Sequence, residues 1–89
     1  MPTLAVFYGI AIKMYSEKGE RHHLPHLHAE YGDEETVIAL ETGEVLEGFI
    51  PKNKMKLVDA WMEIHKEELM ENWNLLYNGE EFFRIEPLR

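Results

Sequence analysis

Lys54-Met55-Lys56-Leu57-Val58-Asp59-Ala60-Trp61-Met62-Glu63-Ile64-His65-Lys66-Glu67-Glu68-Leu69-Met70-Glu71-Asn72-Trp73-Asn74-Leu75-Leu76-Tyr77 carries the longest helical periodicity in the chain. At about 100° per residue, Leu57, Val58, Trp61, Ile64, Leu69, Leu75 and Leu76 share one broad stripe. Met55, Met62 and Trp73 run along its margin, and Asp59, Glu63, Lys66, Glu67, Met70 and Asn74 fall opposite. Such a pattern predicts one amphipathic helix of about 24 residues, roughly 36 Å long. Asn53 is placed to cap its start, and Asn78-Gly79 supplies a stop. An apolar stripe that long must be buried against another layer, and the residues before it read as strands.

Residues 4–15 form an apolar, β-branched and aromatic run that reads as a first strand, and residues 24–31 as a second. Ser16-Glu17-Lys18-Gly19-Glu20 is the polar loop between them, and Gly32-Asp33-Glu34 the next turn. Thr36-Val37-Ile38-Ala39-Leu40 reads as a third strand, linked through Thr42-Gly43 to Val45-Leu46-Glu47-Gly48-Phe49-Ile50. Gly48 inside that run marks a bulge or a close approach by another backbone. Pro51 ends the strands, and Phe82-Phe83-Arg84-Ile85 reads as a last edge strand before Pro87. Strands followed by one long C-terminal helix predict an α+β domain, with a mostly antiparallel sheet of four to five strands.

The length of 89 residues bounds the chain to one domain, 1–89. Nine Lys and Arg against seventeen Asp and Glu give a net charge of −8, which argues against coating a nucleic-acid duplex. Two Trp, four Tyr and four Phe are enough aromatic residues to build a core, which argues against disorder. The absence of Cys excludes disulfides, a thiol nucleophile and thiolate zinc sites, and agrees with a cytoplasmic setting. The apolar N-terminus lacks a basic leader and a cleavage site, and Lys13 ends it well short of the roughly 20 residues a membrane span needs.

Three polar residues interrupt the helix stripe. His65 and Asn72 fall near its centre, with Glu68 on its inner flank. Each must find a partner, because an unsatisfied buried polar group costs about 1–3 kcal/mol. They either hydrogen-bond within the fold or form one wall of a site.

The other anomaly is the bunching of histidines in Arg21-His22-His23-Leu24-Pro25-His26-Leu27-His28-Ala29-Glu30-Tyr31. On a strand, His26, His28 and Glu30 point one way and Leu27, Ala29 and Tyr31 the other. His-x-His on a strand suits two ligands of one ion, so one hypothesis sets a divalent transition metal (Zn, Mn, Fe or Ni) on His26, His28 and His65. Glu30 or Glu68 would then be ligand or general base. A second hypothesis uses His26 or His28 as metal-free acid and base beside Arg21, as in RNA cleavage, with Lys52, Lys54 and Lys56 as a local basic patch. The plainer alternative is a polar surface or partner interface made by Arg21, Glu30, Asn72 and the histidines. No phosphate-binding glycine loop and no nucleophile elbow is present.

The sequence resembles the small bacterial family DUF4160. The resemblance rests on Phe7-Tyr8-Gly9-Ile10 with Met14-Tyr15, and on Pro25-His26-Leu27-His28-Ala29-Glu30-Tyr31. It continues through Thr42-Gly43-Glu44-Val45-Leu46-Glu47-Gly48 with Pro51, Trp61 with His65, Glu68-Leu69, Asn72-Trp73 and the closing Ile85-Glu86-Pro87-Leu88. Leu27 stands where an aromatic residue is familiar, and His22-His23 is an additional pair. The resemblance implies a stand-alone protein of unassigned activity, often encoded beside a second small family, DUF2442. Such pairing implies a protein partner in a two-gene, toxin–antitoxin-like module; a sheet edge or the helix pairing with a second chain would instead give a homodimer.

Overall fold

A computed structural model describes residues 2–15 and 24–89. Five strands form one antiparallel sheet in the order of the chain: β1 (Thr3–Phe7), β2 (Ile10–Lys13), β3 (His26–Tyr31), β4 (Glu34–Ala39) and β5 (Val45–Gly48). Two helices follow, α1 (Lys52–Ile64) and α2 (Lys66–Tyr77). The α+β class and the antiparallel sheet are as expected.

The first expected strand is two. Phe7 pairs with Ile10, and the chain reverses through Tyr8 (φ 49°) and Gly9 (φ 78°). Two successive left-handed residues are what a tight hairpin of matching twist requires. Tyr8 hid the turn, because a tyrosine rarely takes positive φ and the flanking residues are uniformly apolar.

Gly48 is where the expected close approach occurs. It sits at φ 71°, and a Cβ there would lie 2.1 Å from the Glu35 carbonyl oxygen. The β4–β5 ladder is irregular between Val37 and Ile38, and β5 ends at Gly48 rather than running to Ile50. The Thr36 hydroxyl donates to the Glu47 carbonyl at 3.2 Å, which satisfies a wholly buried side chain beside this irregularity.

The single long helix expected over 54–77 is instead broken at His65 (φ −110°, ψ 25°). Strands of four to six residues span at most roughly 20 Å, so a straight rod of roughly 36 Å would overhang the sheet. The bend lets both halves reach the same core. Hydrogen bonds still pass through the junction, from His65 N–H to Trp61 and from Leu69 N–H to His65, each at 3.0 Å. Val58, Trp61, Met62, Leu69, Asn72 and Trp73 are the buried helix positions. Ile64, expected on the stripe, is 66% exposed.

The helix boundaries also differ at one end. Pro51, not Asn53, occupies the cap, and its carbonyl accepts the Lys54 and Met55 N–H groups at 2.9 Å. At the far end Gly79 N–H bonds to Leu76 and Glu80 N–H to Leu75, which closes α2 with paired reverse hydrogen bonds at the expected Asn78-Gly79 stop.

Residues 82–85 do not form a strand. They run back beside β1 with one ladder-like bond, Ile85 N–H to Leu4 O at 2.9 Å. The Trp61 indole N–H donates to Glu86 O at 2.8 Å, and Ile85 is buried. The core thus gathers Leu4, Phe7, Ile10 and Ile12, Leu27 and Ala29, Ile38, the helix residues Val58, Trp61 and Leu69, and Ile85 of the tail. No helix among the described residues is long and apolar enough to cross a membrane.

Candidate functional site

Strand β3 settles which face the histidines take. Leu27 and Ala29 enter the core, so His26, His28 and Glu30 lie on the opposite face. Cross-strand register then decides their neighbours. Lys13 stands opposite His28 and reaches diagonally to Glu30, with Nζ 2.9 Å from Oε1. His28 stands opposite Val37 and reaches diagonally to Glu35, with Nδ1 3.4 Å from Oε2. The hydrogen bond that the Lys13 ammonium donates to the Glu30 carboxylate holds its pKa above the ordinary range.

Aromatic contacts join the rest. The His28 ring meets Tyr15 edge-on with centroids 4.7 Å apart, and His26 at 5.4 Å. His26 is 2% exposed and packs against Trp73 of α2 at 5.1 Å. Its Nδ1 lies 2.6 Å from Leu24 O. A carbonyl only accepts, so the ring donates from Nδ1. Tyr15 and Glu35 were not among the sequence candidates. Only the register of three strands brings them to His28, and that register is not written in any single motif.

The helix polar residues go elsewhere. His65 Nδ1 lies 2.6 Å from Glu68 Oε1, three residues on, and its ring packs on Trp61 at 5.4 Å. Both line a surface cleft of about 300 Å³ with Glu63 and Lys66. Asn72 is wholly buried and bonds the backbone of Phe83, so it holds the tail rather than presenting a surface. A second cleft, of about 320 Å³, lies between Glu41-Thr42 and Asp59, Met62 and Lys66, where partial burial pushes the Asp59 carboxyl up.

His26 with His28, and His65 with Glu68, are therefore two pairs. Among the described residues no group of three or more His, Asp or Glu side chains is placed to hold a metal ion. The three-histidine set of His26, His28 and His65 is not assembled. Arg21 and the His22-His23 pair lie outside the described residues.

The family model for DUF4160, a domain of unknown function, matches residues 9–74. The chain belongs to the DUF4160 family. The matched span of this DUF4160 domain runs from the β1–β2 turn to α2 and includes both histidine pairs. Neither curated proteins nor solved structures yield a match.

Proposed function

We propose that this DUF4160 domain works by binding a protein partner, as one component of a two-gene, toxin–antitoxin-like module in the cytoplasm. One observation carries the protein-binding reading. Val45, 46% exposed, opens the edge strand β5, and Phe49, 70% exposed, directly follows its last residue. Single exposed apolar residues are ordinary, but a pair on one strand run beside open backbone suits an interface. Leu24, 57% exposed, lies nearby, sharing a small cleft with Glu44.

Co-expression with the small protein encoded beside it, followed by size exclusion, tests this reading. A stable complex is expected, weakened by Phe49→Ser. Two species that elute separately overturn it, and a peak at twice the monomer mass assigns the surface to a homodimer instead.

A second reading, a histidine-based hydrolase acting with or without a divalent metal, is favoured by one arrangement. His26 and His28 sit side by side, one oriented by Leu24 O and the other beside Glu35. A ring that donates Nδ1–H to a carbonyl has its tautomer and orientation fixed, as a base or ligand histidine requires. Metal analysis of untagged protein and an RNA-cleavage pH profile, each repeated for His26→Ala and His28→Ala, test it. Metal-free, inactive wild-type protein eliminates this reading.

A further inference from the structure

The two edges of the sheet are treated differently. Beside β1 runs the C-terminal segment, bonded through Ile85 to Leu4. Beyond β5 no strand lies among the described residues. In an antiparallel ladder only alternate backbone groups face the neighbour, so β5 turns a row of N–H and C=O groups outward.

The chain leading into and through β5 is acidic, and the first cation after it is Lys52 at the start of α1. From Gly32 to Pro51 the chain contains Asp33, Glu34, Glu35, Glu41, Glu44 and Glu47 and no Lys or Arg. Glu41 and Glu44 are exposed on the loop that leads into β5, and Val45 at its start and Phe49 just after it add exposed apolar side chains. A second copy of this chain pairing edge to edge would bring Glu44 and Glu47 of both copies together, and like charges across strands destabilise pairing. Charge complementarity therefore selects a different occupant.

We propose that the outer edge of β5 takes up an extended, Lys- and Arg-rich segment of a protein partner as a sixth strand. This inference rests on the protein-binding reading above and names the chemistry and geometry of the partner. Main-chain hydrogen bonds supply the attachment, alternate basic side chains meet the β4–β5 carboxylates, and apolar ones cover Val45 and Phe49. Gly48 and the acidic residues also serve to discourage unwanted edge pairing. They discriminate by sign, so a basic strand escapes the discouragement that an acidic one meets.

The test is selection of displayed random peptides on the intact 89-residue protein. The best peptide is then synthesised and its binding measured by calorimetry and by amide chemical-shift mapping. Alternating apolar and basic peptides are expected, with the largest shifts over residues 44–49. Glu44→Lys weakens binding by about tenfold, and methylating alternate peptide nitrogens weakens it at least as much, by about tenfold or more. Circular dichroism of Glu44→Lys guards against unfolding. Selection of acidic or patternless peptides, selection of none, tolerance of N-methylation, or shifts centred on the helices each overturn edge addition. Those outcomes leave the complex with the neighbouring gene product standing, whereas absence of that complex on co-expression strikes the broader reading.

Discussion

Asn72 treats the backbone of Phe83 as a strand would. Its Nδ2 donates to Phe83 O and its Oδ1 accepts from Phe83 N–H, both at 2.9 Å. The residue is wholly buried on α2, so this amide stands in for a missing neighbour strand and holds the C-terminal segment against the core. Ile85 and Glu86 then reach Leu4 and Trp61.

Asn72→Ala removes both bonds and leaves the Phe83 backbone unsatisfied. A loss of about 2–4 kcal/mol is expected in urea unfolding, from two part-buried hydrogen bonds at about 1–2 kcal/mol each. In a domain of this size that lowers the melting temperature by roughly 10–20 °C. A change under about 0.5 kcal/mol, the range of ordinary surface substitutions, would show that the clip is dispensable.

Gly48 and Gly79 share a left-handed backbone but differ in surroundings. A Cβ at Gly48 would strike the Glu35 carbonyl at 2.1 Å, whereas one at Gly79 meets nothing within 4 Å. Gly79→Ala is expected to cost about 1–2 kcal/mol, for the left-handed conformation alone. Gly48→Ala adds separation of β4 from β5, so a loss beyond about 3 kcal/mol is expected. Equal melting temperatures for the two variants would contradict the contact.

At the helix break, His65 donates from Nδ1 to Glu68, which also places a carboxylate in the first turn of α2. Nitrogen NMR of the neutral ring should therefore find the proton on Nδ1. Glu68→Ala releases that preference and costs about 0.5–1 kcal/mol, from a half-exposed hydrogen bond and a favourable helix-dipole contact. Glu68→Gln keeps an acceptor and retains the tautomer. A ring protonated on Nε2 in the wild type rejects the pairing.

Lys13 and Glu30 set an alkaline dependence. The folded-state pKa of Lys13 is raised above its ordinary value of 10.5. The stabilisation is therefore fully present below that value and is lost as pH rises through the folded pKa. Denaturant midpoints should fall above about pH 10.5, and Lys13→Met should flatten part of that fall. An identical alkaline slope in wild type and variant would remove the pair from the account. The effect is small, because the pair is surface-exposed.

Local chemistry made much of this architecture legible. The polar turns and β-branched runs marked the later strands, Asn78-Gly79 marked the end of the helix, and Gly48 marked a close approach. Alternation along 26–31 paired His26 with His28, and the stripe singled out His65 and Asn72 before their partners were known. A turn whose Gly9 is preceded by Tyr8 within an apolar run, and a helix that bends, were not legible. Tyr8 gives no local signal of a left-handed turn, and His65 keeps the helical spacing of buried residues across the break.

By itself the sequence determined the two layers, because periods of two and of 3.6 residues each bury one apolar face. It also determined which polar residues interrupt those faces. Tertiary structure alone decided most of their partners. Strand register set Glu35 and Lys13 beside the β3 side chains, the bend at His65 turned its ring to Glu68, and the returning tail gave Asn72 its backbone. The register and tail contacts join elements whose relative placement follows from packing the whole core, which no local stretch of chain encodes; His65 and Glu68, three residues apart, meet locally.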